Sequence, residues 1–337
     1  MNFIIDIDHD AKTPKYKQIV KSIIRLVECG VLKKKDRLPS INELSVENYL
    51  ARDTVEKAYK ELKALGVIDS VRGKGFYILN EKPTQKRVLL VMNKLSAYKK
   101  AVYEAFLATL GDLATVNLHI HHGSSRILRD ILKENLGHFH YYVIMPHFYD
   151  DTTNIRTLLH QIPAKELVLL DKEFSDLAGD YTSVYQDFTD DIYNALDSGL
   201  DLLEKYQELV LIFPEDVKYP SEIMQGFRRF CAHTKKLGRI ITKASDENEL
   251  EGRVYIVLED SDLAELVKKA REQQLELGQD VGILSFNDTP LKEVLANGIS
   301  VISTNHEQMG RTAAELILKD KTMRVKNPFG LIRRGSL

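Results

Sequence analysis

From Arg87 onward the chain repeats one arrangement eight times: a short apolar run of strand-forming residues followed by a segment of helical periodicity. The runs read RVLLVMN, TVNLHIH, YYVIM, ELVLL, ELVLIF, RVYIVL, DVGILSF and GISVIST. Strands that alternate with helices pair in parallel, each helix crossing over a face of the sheet. Eight such strands exceed one small sheet, and the pattern breaks near Asp187. The expectation is an α/β region of two similar halves. In open sheets of this kind ligands sit beyond the carboxyl ends of the strands, so a cleft between the halves is the expected binding site.

The preceding stretch, Leu38 to Ile78, has a different grammar. Ser40 and Glu43 form an S-x-x-E capping box after Pro39, in which two orphan amides of a helix start find partners. Ile41 and Leu44 supply an inner face, and a turn is expected at Tyr49-Leu50. A second helix runs from Arg52, with Val55, Ala58, Tyr59 and Leu62 on its buried side and Arg52, Asp53, Glu56, Lys57, Lys60 and Lys63 outside. Gly66 reads as its stop. Val67–Asp69 and Phe76–Leu79 are β-prone, with Arg72-Gly73-Lys74-Gly75 as the hairpin tip. A lead-in helix over residues 15–29 buries Tyr16, Ile19, Val20, Ile23, Ile24 and Val27 and ends at Gly30. These are the parts of an α+β winged helix-turn-helix.

The order and spacing resemble the GntR family of bacterial transcription regulators over residues 12–79. The matching positions are Pro14, Tyr16, Gln18 and Ile19, then Leu38-Pro39-Ser40 with Leu44, then Arg52, Thr54 and Val55, then Gly73, Gly75 and Phe76. Two positions depart from the family pattern: Ala51 replaces a helix-capping Ser, and Asn42 stands where many members carry a DNA-contacting Arg. The resemblance implies DNA contacts from Arg37, Ser40, Asn42, Arg52, Asp53, Thr54 and Lys57, and from Arg72, Gly73 and Lys74 at the wing. Arg52 is expected to read a guanine.

Residues 87–337 resemble the periplasmic-binding-protein-like (type I) effector domain of the LacI family. The resemblance rests on Gln225-Gly226-Phe227, on Asp260-Ser261, on the strand end Gly282 to Asp288, on Ile299 to Thr304, and on Met309-Gly310 with Ala313-Ala314. Ile223 and Asn287 replace a sugar-binding Arg and an Asp of that family. What the resemblance implies is a monosaccharide effector, a homodimer, and a double-stranded, pseudo-palindromic operator. Release by the effector, hence repression, is the expected sign, with a ligand-activated regulator the first alternative and a sugar-metabolising α/β enzyme the second.

Effector contacts are expected from polar residues at strand ends: Ser96, His147, Asp171, Lys172, Asp187, Asp260, Asn287 and Asp288. The chain has no Trp, so Tyr98, Phe148 or Tyr185 must cover an apolar sugar face. The domain boundaries are expected at 1–80 for the winged head, 81–86 for a polar, proline-containing linker (NEKPTQK from Asn80), and 87–337 for the two-lobed region. Residues 1–80 carry 15 Lys and Arg against 11 Asp and Glu, and the remainder 32 against 38. A basic head on an acidic body suits phosphate neutralisation.

Other chemistries lack their motifs. The two cysteines, Cys29 and Cys231, fit no metal-ligand spacing. No P-loop and no G-x-S-x-G elbow occurs, so neither a catalytic site nor a cofactor is expected. His119, His121, His122, His138 and His140 cluster without a metal-binding pattern, and no metal is expected. No run approaches the roughly 18 apolar residues of a membrane span. The start, MNFIIDIDHD, lacks a basic n-region, and the expected location is the cytoplasm.

Overall fold

The computed structural model describes all residues except 1–4, 6, 9–12, 72, 80–84, 151–153, 175–176 and 216–218. The head follows its capping residues. Helix α1 (Lys15–Glu28) buries Ile19, Val20, Ile23, Ile24 and Val27, and Gly30, at φ +70°, turns the chain away. The Ser40 hydroxyl accepts from the Glu43 amide at 3.2 Å, and the Glu43 carboxylate accepts from the Ser40 amide at 2.7 Å. That reciprocal box opens α2 (Ile41–Glu47). Tyr49 takes a left-handed φ of +52° at the turn.

Helix α3 (Arg52–Ala64) then starts without a side-chain cap, since Ala51 has none to give. It buries Val55, Ala58, Tyr59 and Leu62. Strands β1 (Ile68–Val71) and β2 (Gly75–Ile78) pair antiparallel around the wing. Gly73 and Gly75, both at positive φ, make the reversal possible. Tyr59 packs edge-on against Phe76 at 4.7 Å, which fixes α3 on the hairpin.

The first lobe comprises β3 (Lys86–Met92), α4 (Ala97–Leu110), β4 (Ala114–Ile120), α5 (Ser125–Asn135), β5 (Tyr141–Ile144), α6 (Ile155–Leu159), β6 (Leu167–Asp171) and β7 (Thr182–Tyr185). The second comprises α7 (Phe188–Asp197), α8 (Leu200–Leu203), β8 (Glu208–Ile212), α9 (Glu222–Thr234), β9 (Leu237–Ile241), β10 (Arg253–Val257), α10 (Asp260–Glu272), β11 (Gly282–Phe286), α11 (Pro290–Val294) and β12 (Ser300–Thr304). The chain then returns through α12 (His306–Leu318) and β13 (Arg324–Lys326) before ending its last sheet with β14 (Phe329–Ile332).

The two sheets share one plan. The first has strand order β4-β3-β5-β6-β7-β13 and the second β9-β8-β10-β11-β12-β14. Pairing is parallel throughout except for β14 against β12. All eight expected runs are strands. Four more, β7, β9, β13 and β14, carry no long apolar run, because three lie at sheet edges and β7 has Thr182 and Ser183 in its core. Strand β3 begins at Lys86, the last residue of the expected linker. Of that linker, residues 81–84 lie outside the described residues.

The chain passes between lobes three times, at 186–187, at Asn305 and at 327–328. Asn327, almost fully buried, ties these passes together. Its amide nitrogen donates to Thr304 Oγ1 at 2.7 Å and to the Asn305 carbonyl at 2.9 Å, while its backbone amide donates to Tyr185 at 2.8 Å.

Each lobe is also closed by a helix pair that crosses at a glycine. A Cβ on Gly310 of α12 would lie 2.2 Å from the Val102 carbonyl oxygen of α4, and one on Gly226 of α9 would lie 2.4 Å from the Thr189 carbonyl of α7. Only the absence of a side chain lets these backbones approach.

Candidate nucleic-acid interface and ligand cleft

The amino-terminal end of α3 presents Arg52 and Asp53 exposed, with Thr54 half-buried behind them. Arg37, Asn42, Gly73 and Lys74 are exposed on the surrounding turn, helix and wing. Arg37 runs along the hairpin, its guanidinium within 4 Å of the Cβ position of Gly75. Ser40 is occupied by its capping box. Lys57 differs from its neighbours, since its ammonium lies 4.1 Å from the centre of the Tyr16 ring. To reach a phosphate it must give up that cation–π contact. Arg72 lies outside the described residues.

The cleft between the lobes opens at the carboxyl ends of both sheets. Its wider part, about 780 Å3, lies between His147, Phe148 and Lys172 on the first lobe and Phe213, Tyr219 and Arg228 on the second. That volume falls within the roughly 300–1,000 Å3 of small-molecule sites. A narrower inner part is walled by Asn93, Tyr98, Lys99, His147, Asp171, Gln186, Asn287 and His306.

Asp171 organises the inner wall. It ends β6 at φ +73°, is nearly buried, and accepts from His147 Nε2 at 2.8 Å and from the Gln186 side-chain amide. Lys99 Nζ stands 3.7 Å away and donates also to Asn93 Oδ1. Burial alone would raise the Asp171 carboxyl; His147 and Lys99 outweigh it and hold the group well below the ordinary carboxylate range. Burial pulls the His147 imidazole and the Lys99 ammonium down, with Asp171 opposing both shifts.

A carboxylate only accepts hydrogen bonds. His147 therefore carries its proton on Nε2, which leaves Nδ1 as an acceptor, and Gln186 must turn its nitrogen toward Asp171. Among the described residues Gln186 Oε1 is then left buried without a partner, whereas Ser96, at the start of α4, is not among the residues that line either part of the cleft. From the second lobe the Tyr219 hydroxyl donates to Glu259 at 2.5 Å, and burial together with Glu259 raises the phenol far above its usual range. The wall is thus dense in directional polar groups, with the Lys94 side chain also lining it. It suits a polar, hydroxyl-bearing ligand.

The strand-end residues are distributed unevenly. Tyr98, His147, Asp171 and Asn287 meet at the inner wall, and Lys172 lines the wider part. Asp288 is held in a two-pronged pair with Arg334, both contacts at 2.8 Å, and lines a neighbouring groove. Asp260 instead pairs with the buried Lys292 at 3.0 Å, and Asp187 caps α7 through the Asp190 amide; neither lines the cleft. Tyr185 is likewise absent from the wall, whereas Tyr98 rests on His306 with ring centres 5.0 Å apart.

Sequence reasoning passed over Asn93, Lys99, Gln186, Tyr219 and His306. Asn93 ends the RVLLVMN run, so the strand-end rule reaches it. Lys99 lies within the first turn of α4, whose side chains lean back toward the helix start. Nothing periodic marks Tyr219.

His121 backs this wall, packed against Phe148 with ring centres 4.7 Å apart. Its Nε2 lies 3.0 Å from the Met145 carbonyl, and its Nδ1 is buried without a partner among the described residues. Burial pushes its pKa down to about 4, as it does for His140 and His306. An unfolded histidine binds its proton near pH 6.5. Between pH 6.5 and 4 the unfolded chain therefore takes up protons that the folded one refuses, and stability falls as pH falls through that window. His121 alone should contribute about 3 kcal/mol to the fall. In thermal unfolding across pH 4–8, His121→Gln is expected to flatten this slope; a slope unchanged by the substitution would place its origin elsewhere.

Comparison with known proteins bears on both parts of the chain. Residues 15–78 match the family model for bacterial regulatory proteins of the gntR family, and residues 202–337 match that for a periplasmic binding protein-like domain. The HTH-type transcriptional repressor YtrA of Bacillus subtilis is 36% identical over 104 residues, which cover 31% of this chain and 77% of the repressor. The chain belongs to the GntR family of bacterial regulatory proteins.

Structures extend the match to the lobes of this GntR regulator. The trehalose repressor from Escherichia coli superposes with a TM-score of 0.60 at 16% identity, covering 74% of this chain and 100% of that one. The dimeric Lac repressor with an 11-residue C-terminal deletion gives 0.61 at 14% identity, covering 74% and 98%. At such identities the likeness is one of fold. The regulator is a DNA-binding protein rather than an enzyme. Among the described residues, no group of three or more His, Cys, Asp or Glu is placed to hold a metal ion, and no helix is long and apolar enough to cross a membrane.

Proposed function

We propose that this regulator is a cytoplasmic repressor of carbohydrate-utilisation genes, released from its operator by a monosaccharide bound between the lobes. The observation that carries this reading is the inner wall around Asp171. Its fixed donors and acceptors, with Gln186 Oε1 left without a partner among the described residues, match the paired hydroxyls of a sugar ring, and Tyr98 offers an apolar face. Two relatives in fold are a trehalose repressor and a Lac repressor, which supports repression and a sugar-type effector in general. Two chains pair through their lobed regions and offer two winged heads to a pseudo-palindromic duplex. Ligand binding closes the lobes about their three crossings, and a coupling of about 1–3 kcal/mol between cleft and DNA is typical and reciprocal.

A thermal-shift screen against monosaccharides tests the ligand, because saturation at a hundred times the dissociation constant adds about 2.7 kcal/mol of stability. An operator-binding assay in which no small molecule changes affinity would count against the reading. On the DNA side, Arg52 stands exposed at the reading end of α3, and a bidentate contact to guanine discriminates by about 1–3 kcal/mol. Arg52→Ala is therefore expected to lower operator affinity by about tenfold or more while leaving binding to random duplex largely intact. Equal losses on both duplexes would make Arg52 a phosphate contact.

A further inference from the structure

The head rests on the first lobe along a seam. Lys17 of α1, almost fully buried, donates to the Leu136 carbonyl at 2.7 Å. Gly137, at φ +81°, lies so close that a Cβ would meet the Lys17 and Thr13 side chains at 3.0–3.3 Å. Lys21 of α1 pairs with Glu166. His138 Nδ1 faces Glu61 of α3 at 3.5 Å, and His140 Nε2 faces Glu28 of α1 at 3.6 Å. His140 Nδ1 in turn accepts from the Arg87 backbone amide at 2.8 Å.

The position of these groups in the sheet is what matters. Arg87 lies at the amino end of β3, His140 immediately precedes β5, and Glu166 immediately precedes β6. At the carboxyl ends of the same three strands stand Asn93, His147 and Asp171, which form the inner wall of the cleft. The strands are hydrogen-bonded neighbours, and their central residues are fully buried. At about 3.3 Å per residue the four residues of β5 span only ~13 Å. Each strand is a short stiff rod with the seam at one end and the cleft at the other.

Docking also leaves the reading end of the head free. Arg52 precedes Glu61 by nine positions, about 13.5 Å along the helix axis, so the seam holds the far end of α3 while Arg52 stays exposed.

We propose that this seam is a fixed joint: the winged head rides on the first lobe, and β3, β5 and β6 carry the state of the cleft to it. The joint gives the ligand reading above its physical route. Coupling then runs through packed strands and does not depend on residues 80–84 alone.

Hydrogen exchange on the full-length protein tests the joint without any ligand. In the wild-type protein the amides of residues 137–140 and of α1 near Lys17 and Lys21 are expected to be protected together. Glu166→Lys should speed exchange at both sets by about tenfold or more, and the charge swap K21E/E166K should restore protection. Lys21→Ala reads the same contact from the head side if Glu166→Lys fails to fold. His147→Gln, in the cleft, should alter exchange at α1 in the wild-type background and have no effect there once Glu166→Lys has opened the seam. The proposal is overturned if Glu166→Lys leaves both sets protected, or if His147→Gln acts on α1 equally in both backgrounds or in neither. None of these outcomes depends on which sugar binds, so failure of the joint and failure of the sugar reading are separable.

Discussion

Asp171→Ala is expected to be among the most damaging single substitutions in the lobed region, at about 3–5 kcal/mol. The carboxylate balances Lys99, which is almost wholly buried, and receives hydrogen bonds from His147 and Gln186. Removing it strands an ammonium in a medium that cannot solvate it. Lys99 would respond by losing its proton, and the unfolding midpoint should therefore fall further at low pH, where that proton is hardest to lose. The second half of the test is the double variant D171A/K99M. Replacing a buried pair together is often close to neutral, so the double variant should recover most of the loss. If it is as unstable as the single variant, shape rather than charge balance holds the wall together. Chemical denaturation of the four proteins in the cycle decides between these results.

Gly310→Ala is expected to cost about 2–4 kcal/mol, although alanine is the better helix former. Its methyl group would be driven to 2.2 Å from the Val102 carbonyl oxygen. That oxygen belongs to helix backbone and cannot swing aside as a flexible side chain would. The helices α4 and α12 must move apart, loosening the core around Phe106, Met309 and Ala313. Gly226→Ala should repeat the effect in the second lobe against Thr189. A stability change below about 0.5 kcal/mol for Gly310→Ala would mean that the crossing yields more easily than its geometry indicates.

What could be read in advance depended on how local the cause was. The capping box of Ser40 and Glu43, the reversals at Gly30 and Gly66 and the buried face of α3 are set within a few residues, and all are visible in the chain. Central strands such as β5 and β10 are covered on both faces, so their apolar runs announce them. Edge strand β9, by contrast, begins Leu237-Gly238-Arg239 with Leu237 64% exposed, and such a surface leaves no apolar run to find.

The cleft was legible only as a region. Polar strand ends led to Asp171, His147 and Asn287, but Asp187, Asp260 and Asp288 look the same in sequence and are claimed by a helix cap, by Lys292 and by Arg334. Those partners lie up to 46 positions away. Only the folded chain reveals which acid is already taken. The glycines of the two crossings were visible as motif positions, but the carbonyls that require them sit on other helices.

The strand order has a bearing on biosynthesis. Strand β13 completes the first sheet by pairing with β7, joining residues about 140 positions apart, and α12 packs on α4 across a still longer stretch. The winged head, built from neighbours in the chain, can form soon after it leaves the ribosome. The first lobe cannot be finished until the second has been made and the chain has crossed back, during which the free edge of β7 stays available to other strands. At about 5–20 residues per second that interval amounts to many seconds. The newly made regulator thus passes through a period in which it has a complete DNA-binding head and an incomplete sensor, and chaperone dependence should concentrate there.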